Sequence, residues 1–388
     1  MKKSKNINLA FLMLAGLLLS TLPVLAQDGS HLENEYTTYL PVVKGRASEN
    51  IIDKQGTNLP TSEVIKGITF DWSTYEQHAS GSDNWPITWA DDGHQYTSFG
   101  DGGGFGGTNQ DGRVSLGVAR IEGDSTNYRG INIWGGKNAR NPAQFGGKSY
   151  GILSTGGILY MWVSPGSDAK NYEEARLAVS NNHGTTWTSV DWAFTQSEKI
   201  VLPTFLQFGQ DYAGARDGYV YSYSIRLQNS NELMVQKPGI IDLMRTPQDR
   251  LADRAAYEFF KGLDRDGNPL WTKNLNERQP VFEDPQGVGW NVSVTYNSGL
   301  QRYLLMTEHG KTMQGNLGIF DAAEPWGPWT TVHYENGFGK DHIGSSTFYW
   351  VFSNKWFSNG GIDFVVIFTG TGSIDGFNMV KGRFILKE

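Results

Sequence analysis

Cysteine is absent from the chain, so neither disulfides nor thiolate chemistry contributes to its stability or activity. Charge is sparse at 19% of residues, and it is not basic: 33 Lys and Arg face 40 Asp and Glu, a formal net charge of -7. No nucleic-acid footprint follows from that balance. Beyond the first residues no apolar run approaches the length of a membrane span. What is abundant is glycine, at 48, with 13 Trp, 17 Tyr and 20 Phe. Many short strands joined by tight turns explain that combination, and exposed aromatic faces also suit stacking on sugar rings.

The N-terminus carries Lys2, Lys3 and Lys5, an apolar run from Leu9 to Leu19, and Val24-Leu25-Ala26 before Gln27. A charged n-region, an h-region and a small-residue cleavage site predict a secretory signal peptide over residues 1–26. The mature chain is then expected outside the cytoplasm, secreted or at the cell surface of a bacterium, with no membrane contact once the leader is removed. Residues 27–63 are poor in periodic apolar positions and read as a flexible tether. One short apolar segment, Thr38 to Val43, interrupts it. Residues 64–388 are read as one folded domain.

Within that domain hairpin signals recur every 50 to 70 residues or so, the spacing of propeller blades. The first pairs Trp85–Ala90 with Gln95–Phe99 across Asp91-Asp92-Gly93, and Val114–Ile121 follows. Others pair Ser149–Leu153 with Ile158–Val163, Thr204–Phe208 with Tyr219–Ile225, Trp290–Tyr296 with Arg302–Thr307, and Thr347–Phe352 with Ile362–Phe368. The expected fold is therefore all-β, a five-bladed β-propeller, with Val64–Trp72 closing the ring against the C-terminal strand Phe377–Leu386. A single helix is expected, at Pro247–Lys261. Ser180 to Trp187, SNNHGTTW, resembles the Asp-box of sialidases, with Asn182 in the Asp position. That motif marks a propeller hairpin and makes His183 a turn residue.

The first hairpin brings Asp83 and Asp101 to one edge, beside the glycines at 102, 103, 104 and 106. Two carboxyls held by strands are what acid/base hydrolysis of a glycoside requires. In a propeller the residues flanking each innermost hairpin converge on the axis. That rule predicts Asp83, Asp101 and Glu308 as catalytic. Trp85, Lys148, Asp211, Tyr212, Arg216, Trp290, Asn291 and His309 are the expected substrate-binding residues. No metal ligands are assigned: Asp264 to Asn268 lacks the bidentate Glu of a calcium loop and reads as a polar turn. No cofactor is expected, and a structural calcium ion is not readable from spacing.

GSDNWP, FGDG, TFLQFGQDYAG, YEFFKG, VTYNSGLQRYL and GIFDAAEPWGPW resemble segments of secreted bacterial propellers, a domain-of-unknown-function family that includes endo-D-arabinofuranosidases acting on mycobacterial arabinan. The resemblance spans roughly Gly67 to Ile385. It implies a furanosidase-like five-bladed fold, an Asp opening the first inner strand that acts with further carboxylates, here Asp83 and Asp101, and inversion at the anomeric carbon. The expected activity is hydrolysis of a polysaccharide, with an endo-acting arabinofuranosidase as the specific form. Two alternatives stand beside it: a polysaccharide lyase using Tyr212 or His309 with Arg216 or Lys148, and a non-catalytic glycan-binding propeller.

Overall fold

The computed structural model describes residues 57–165, 173–228 and 232–388, all within the unit Glu49–Glu388. The expected leader and most of the expected tether lie outside the described residues. No described helix is long and apolar enough to cross a membrane. The architecture is all-β, built of curled antiparallel sheets.

Strand β1 (Ile65–His78) opens the domain. β2 (Ile87–Trp89), β3 (Gln95–Phe99), β4 (Gly117–Glu122) and β5 (Arg129–Trp134) form an antiparallel sheet in chain order. β6 (Gly147–Thr155), β7 (Ile158–Pro165) and β8 (Glu174–Ser180) form a second, edged by β9 (Thr188–Ser189) and β10 (Phe194–Thr195). β11 (Ile200–Gln207), β12 (Tyr219–Arg226), β13 (Gly239–Pro247), β14 (Glu258–Leu263), β15 (Pro269–Thr272) and β16 (Pro280–Asp284) make a third group. It joins β17 (Ser293–Asn297), β18 (Arg302–Glu308), β19 (Leu317–Ala322) and β20 (Thr330–Glu335) through a parallel pairing of β11 with β17. The last sheet holds β21 (Thr347–Phe352), β22 (Asp363–Gly370) and β23 (Phe377–Leu386), and β1 completes it along β23.

The first strand of each group is largely covered on both faces, and β21 accordingly reads as a continuous rather than alternating apolar run. Every residue of β6 and of β21, TFYWVF, is buried. β2, β11, β17 and β21 together line a narrow cavity of about 10 Å³, whose walls include Ile87, Thr204, Thr295 and Tyr349. Between the sheets the core is strongly aromatic: Trp162 packs on Phe205, Phe194 and Tyr257 at centroid distances of 5.8, 5.7 and 6.0 Å. Each fully buried ring of this kind contributes roughly 2 to 3 kcal/mol over exposure.

The ends of the domain meet as expected. β1 runs antiparallel to β23 from Ile65↔Leu386 to His78↔Phe377, with a bulge between Asp71 and Glu76, and Lys387 N–H donates to Val64 O at 2.8 Å. The Asp-box hairpin also forms. Asn182 Oδ1 accepts from Ser180 Oγ and Thr186 N–H, both at 3.0 Å, and the indole of buried Trp187 donates to Gly184 O. His183 occupies the turn at φ 52°.

The expected helix at Pro247–Lys261 is corrected to two 3-10 turns, Gln248–Arg250 and Arg254–Ala256, followed by β14. Tyr257 and Phe259 are buried among Phe194 and Trp162, and Asp253 caps the start of the second turn by accepting from Ala255 N–H at 2.9 Å. Sheet packing overrides the weak amphipathic pattern. β5, β14 and β15 were not anticipated, because glycines at 123, 130, 262 and 267 break their apolar spacing, nor was the short β16, PVFED.

Candidate active site

The pairing Ile87↔Thr97 to Trp89↔Gln95 leaves residues 90–94 as the loop of the first hairpin. At its open end Asp83 and Gly100 exchange backbone hydrogen bonds, each 2.9 Å. Asp83 therefore stands beside Asp101, one position off the register that an undistorted hairpin would give. Asn84 and Asp101 both adopt left-handed backbone, at φ 59° and 55°, a conformation that Asn and Asp enter more readily than most residues.

Gly100 makes room for the charges. A Cβ there would meet both Asp83 Oδ1 and Lys148 Nζ at 3.3 Å, and Ser115 O at 2.9 Å. Lys148, 5% exposed at the start of β6, forms an ion pair with Asp101 Oδ1, and Arg113 reaches the same oxygen at 3.3 Å. Asp101 thus faces two cations. Asp83 does not: its Oδ1 is sealed from solvent and has no hydrogen-bond partner. Burial first, then the charge of Asp101, pushes its pKa up to about 6, against the opposing pull of Lys148.

Two groups that sequence reasoning missed complete this cluster. Asp375, after β22, has its pKa raised to about 7 by burial and then by Asp83 and Asp101, and its carbonyl accepts from Gly81 N–H at 2.8 Å. The rule of residues after a returning strand leads toward it, but Asp375 lies several positions beyond the end of β22 at Gly370. Tyr150 is buried in the same field, its hydroxyl pKa raised by burial, then by Asp83 and Asp101, and it lies beside Trp290. A bulge between Ser149 and Gly151 disturbs the alternation that would have flagged it.

Glu308 ends β18 at the same end of the inner strands. It is fully buried, burial alone lifts its pKa to about 8, and its Oε2 has no partner. A Cβ on Gly289, the residue before Trp290, would lie 3.0 Å from that oxygen. Asn291 is 2% exposed with neither amide atom partnered, and the Trp290 indole N–H is likewise without an acceptor. Orphaned buried polar atoms cost about 1 to 3 kcal/mol each unless water or a ligand meets them. His309 is stacked on Tyr334 at 3.7 Å and buried, which pushes its pKa down to about 4 and keeps it neutral.

Four expected contacts lie elsewhere. Trp85 is 1% exposed, covered by Phe99, Phe105 and Phe377, and its indole donates to Gly376 O at 3.0 Å, so it offers no face to a sugar. Asp211 accepts from Ser154 Oγ at 2.8 Å and from Gly157 N–H, at the far end of β6 from Lys148. Tyr212 and Arg216 follow it there. Tyr212 is buried with its hydroxyl accepting from Tyr221 N–H, and Arg216 pairs with Glu324 and lies 4.5 Å over Trp326. The reason is directional: β11 has crossed the ring by Gln207, so whatever follows it emerges on the opposite rim. That rim also carries Asp91, Asp92 and His183, whose ligand-type atoms lie within 4.8 Å of one another; Asp91 and Asp92 are exposed, and His183 Nε2 meets Asp91 Oδ1 at 2.8 Å.

The model of a domain of unknown function, DUF4185, matches residues 152–349, just over half of the sequence. The chain belongs to the DUF4185 family. No curated protein matches it. Among solved structures this DUF4185 chain is similar to a protein of Bacteroides ovatus ATCC 8483 described as a candidate hydrolase, at 13% identity and a TM-score of 0.51, over 88% of this chain and 97% of that one. A GH43_1 enzyme from Xanthomonas citri is 12% identical over 80% of this chain and 88% of its own, at a TM-score of 0.44. A Bacillus subtilis arabinanase is 13% identical over 80% and 94%, at 0.40. At such identities, the likeness concerns the fold alone.

Proposed function

We propose that this DUF4185 chain is an exported glycoside hydrolase on a five-bladed propeller, cleaving a polysaccharide between Asp83 and Asp101. The observation that carries the reading is the asymmetry of the pair. Asp83 holds an unpartnered, solvent-sealed carboxyl oxygen with a raised pKa, while Asp101, a short reach away, faces Lys148 and Arg113. Neighbouring carboxyls whose environments push them apart are the usual division into acid and base.

In the proposed reaction Asp83 gives its proton to the glycosidic oxygen as the bond to the anomeric carbon breaks. Asp101 takes a proton from the water that attacks that carbon, leaving one new hydroxyl on each product. Inversion requires the two carboxyls to stand roughly 6.5 to 9.5 Å apart to admit that water. Trp290 and Tyr150 are buried beside the pair and back the carboxyls rather than offering a face to a sugar ring. Endo-acting cleavage of arabinan is the specific form that the sequence resemblance suggests. A lyase built on Tyr212 and Arg216 has no support in this arrangement, since both stand on the far rim.

The test is a panel of arabinans, uronate-containing polymers and neutral glycans, with products analysed by mass, for the wild type, D83N and D101N. Hydrolysis that falls by about 10³-fold or more in D101N, with an unchanged circular dichroism spectrum, is expected. Undiminished hydrolysis by D101N, or products carrying an unsaturated sugar, would overturn the assignment.

A further inference from the structure

On the catalytic rim, outside the carboxylate pair, the loops after β18 and β20 and the segment before β13 border an open hollow of about 500 Å³. β17 runs parallel to β11, so β18 returns to the end where Glu308 stands, and the residues that follow it open on that rim. The hollow is lined by Lys237, Lys311 and Lys340 together with the amides of Gln314, Asn316 and Asn336, and no carboxylate joins them. On a chain of net charge -7 this is a local reversal of sign. Among the described residues neither Lys311 nor Lys340 has a carboxylate within ion-pair distance.

The walls are fixed by backbone ties rather than by the lysines. His309 N–H donates to Asn316 O at 3.1 Å, and Asn316 Nδ2 returns a bond to His309 O at 3.0 Å, closing the base of the first loop. Phe338 N–H donates to Gly315 O at 2.7 Å, locking the second loop to the first, and Val235 N–H donates to Thr312 Oγ1 at 2.9 Å. Gly315 permits the closest of these contacts: a Cβ there would lie 2.9 Å from Phe338 N. The cations are thus presented by a frame that needs no ligand to organise it, which lowers the cost of binding. One link reaches the buried acid: Gln314 N–H donates to Glu308 Oε1 at 3.4 Å.

We infer that this hollow is a subsite for an oxyanion substituent, so that the glycan accepted on this rim is an acidic one, bearing uronate carboxylates or sulfate esters. Amide donors and ammonium groups lining one hollow recognise such groups by charge and hydrogen bonding together. The inference rests on the glycan reading of the rim, and names the chemistry of what is bound.

The test uses full-length protein carrying D101N to stop turnover, and titrates it calorimetrically with oligogalacturonate, a sulfated carrageenan oligosaccharide and a neutral arabino-oligosaccharide. The first two separate carboxylate from sulfate as the source of charge. Expected is tighter binding of at least one charged probe than of the neutral one, weakening as salt is added. Adding K311A and K340A should cost that probe about five- to tenfold in affinity and leave neutral binding unchanged. Equal affinity for all three probes, or a charge preference that survives K311A/K340A in a protein with an unchanged circular dichroism spectrum, overturns the inference. The two readings fail separately. Cleavage of neutral arabinan with no charge preference removes the subsite and leaves the hydrolase, whereas lysine-dependent capture of an anionic probe that the wild type never cleaves does the reverse.

Discussion

Replacing Lys148 by Met removes the one buried cation between the two carboxyls while keeping most of the side chain's volume. Lys148 Nζ and Asp83 Oδ1 each lie 3.3 Å from the point a Cβ on Gly100 would occupy, so they are no more than about 6.6 Å apart. At that separation and an effective dielectric constant of about 20, a unit charge contributes about 2.5 kcal/mol. Since about 1.4 kcal/mol corresponds to one pH unit, and rim water screens part of the field, the proton on Asp83 should be held about one to two pH units further up the scale. The sign follows from which form is needed. An acid catalyst works while protonated, so losing the cation that favours its ionised form moves the alkaline limb of the rate profile upward. The assay is kcat/KM against pH for wild type and K148M on the polymer identified by screening. In the wild type the alkaline limb should fall near pH 6, where burial and Asp101 place Asp83. In K148M that limb moves up and the maximum drops, because Asp101 keeps only Arg113 as a partner. A limb that stays in place or moves down would refute the acid role of Asp83.

Glu308 makes a thermodynamic prediction. Its folded pKa of about 8 lies above the usual carboxylate range because of burial, so its contribution to stability is present in full below that range and is lost as pH rises through about 8. E308Q should therefore be less pH-sensitive than the wild type and more stable above pH 8 by roughly a few kcal/mol; urea unfolding across pH 5 to 9 would show parallel curves if the reasoning is wrong. W187A, which empties the buried anchor of the Asp-box hairpin, should cost about 3 kcal/mol or more without moving kcat. R383A, by contrast, should cost under about 1 kcal/mol, since that pair with Asp363 is solvent-exposed; urea midpoints for the two variants test both figures.

The repeated hairpins were legible in the sequence because inner strands such as TFYWVF carry unbroken apolar runs between glycine turns, and β23 spans the residues expected of it. The helix at Pro247–Lys261 misled because an amphipathic spacing records local preference, whereas Tyr257 and Phe259 answer to the sheets above them. At the site, Asp83, Asp101 and Lys148 could be placed together from strand direction alone. Asp211, Tyr212 and Arg216 could not, because the single rule of a residue near an inner strand ignored which end of that strand it follows. Asp375 was hidden by distance along the chain: its segment is tied to that of Asp83 by long-range bonds such as Gly81 N–H to Asp375 O and Asn84 N–H to Thr369 Oγ1, which no local pattern announces.

The pairing of β1 with β23 also governs how the domain can be made. A ribosome delivers β1 first and its partner last, so a fourteen-residue strand must wait for almost the whole domain to emerge before its edge is covered. Contacts this remote in sequence slow the search for the native state and leave a sticky edge exposed meanwhile. A chain clipped within its last ten residues loses the latch and not merely a tail, so the cell's quality control would read such a truncation as an unfinished molecule.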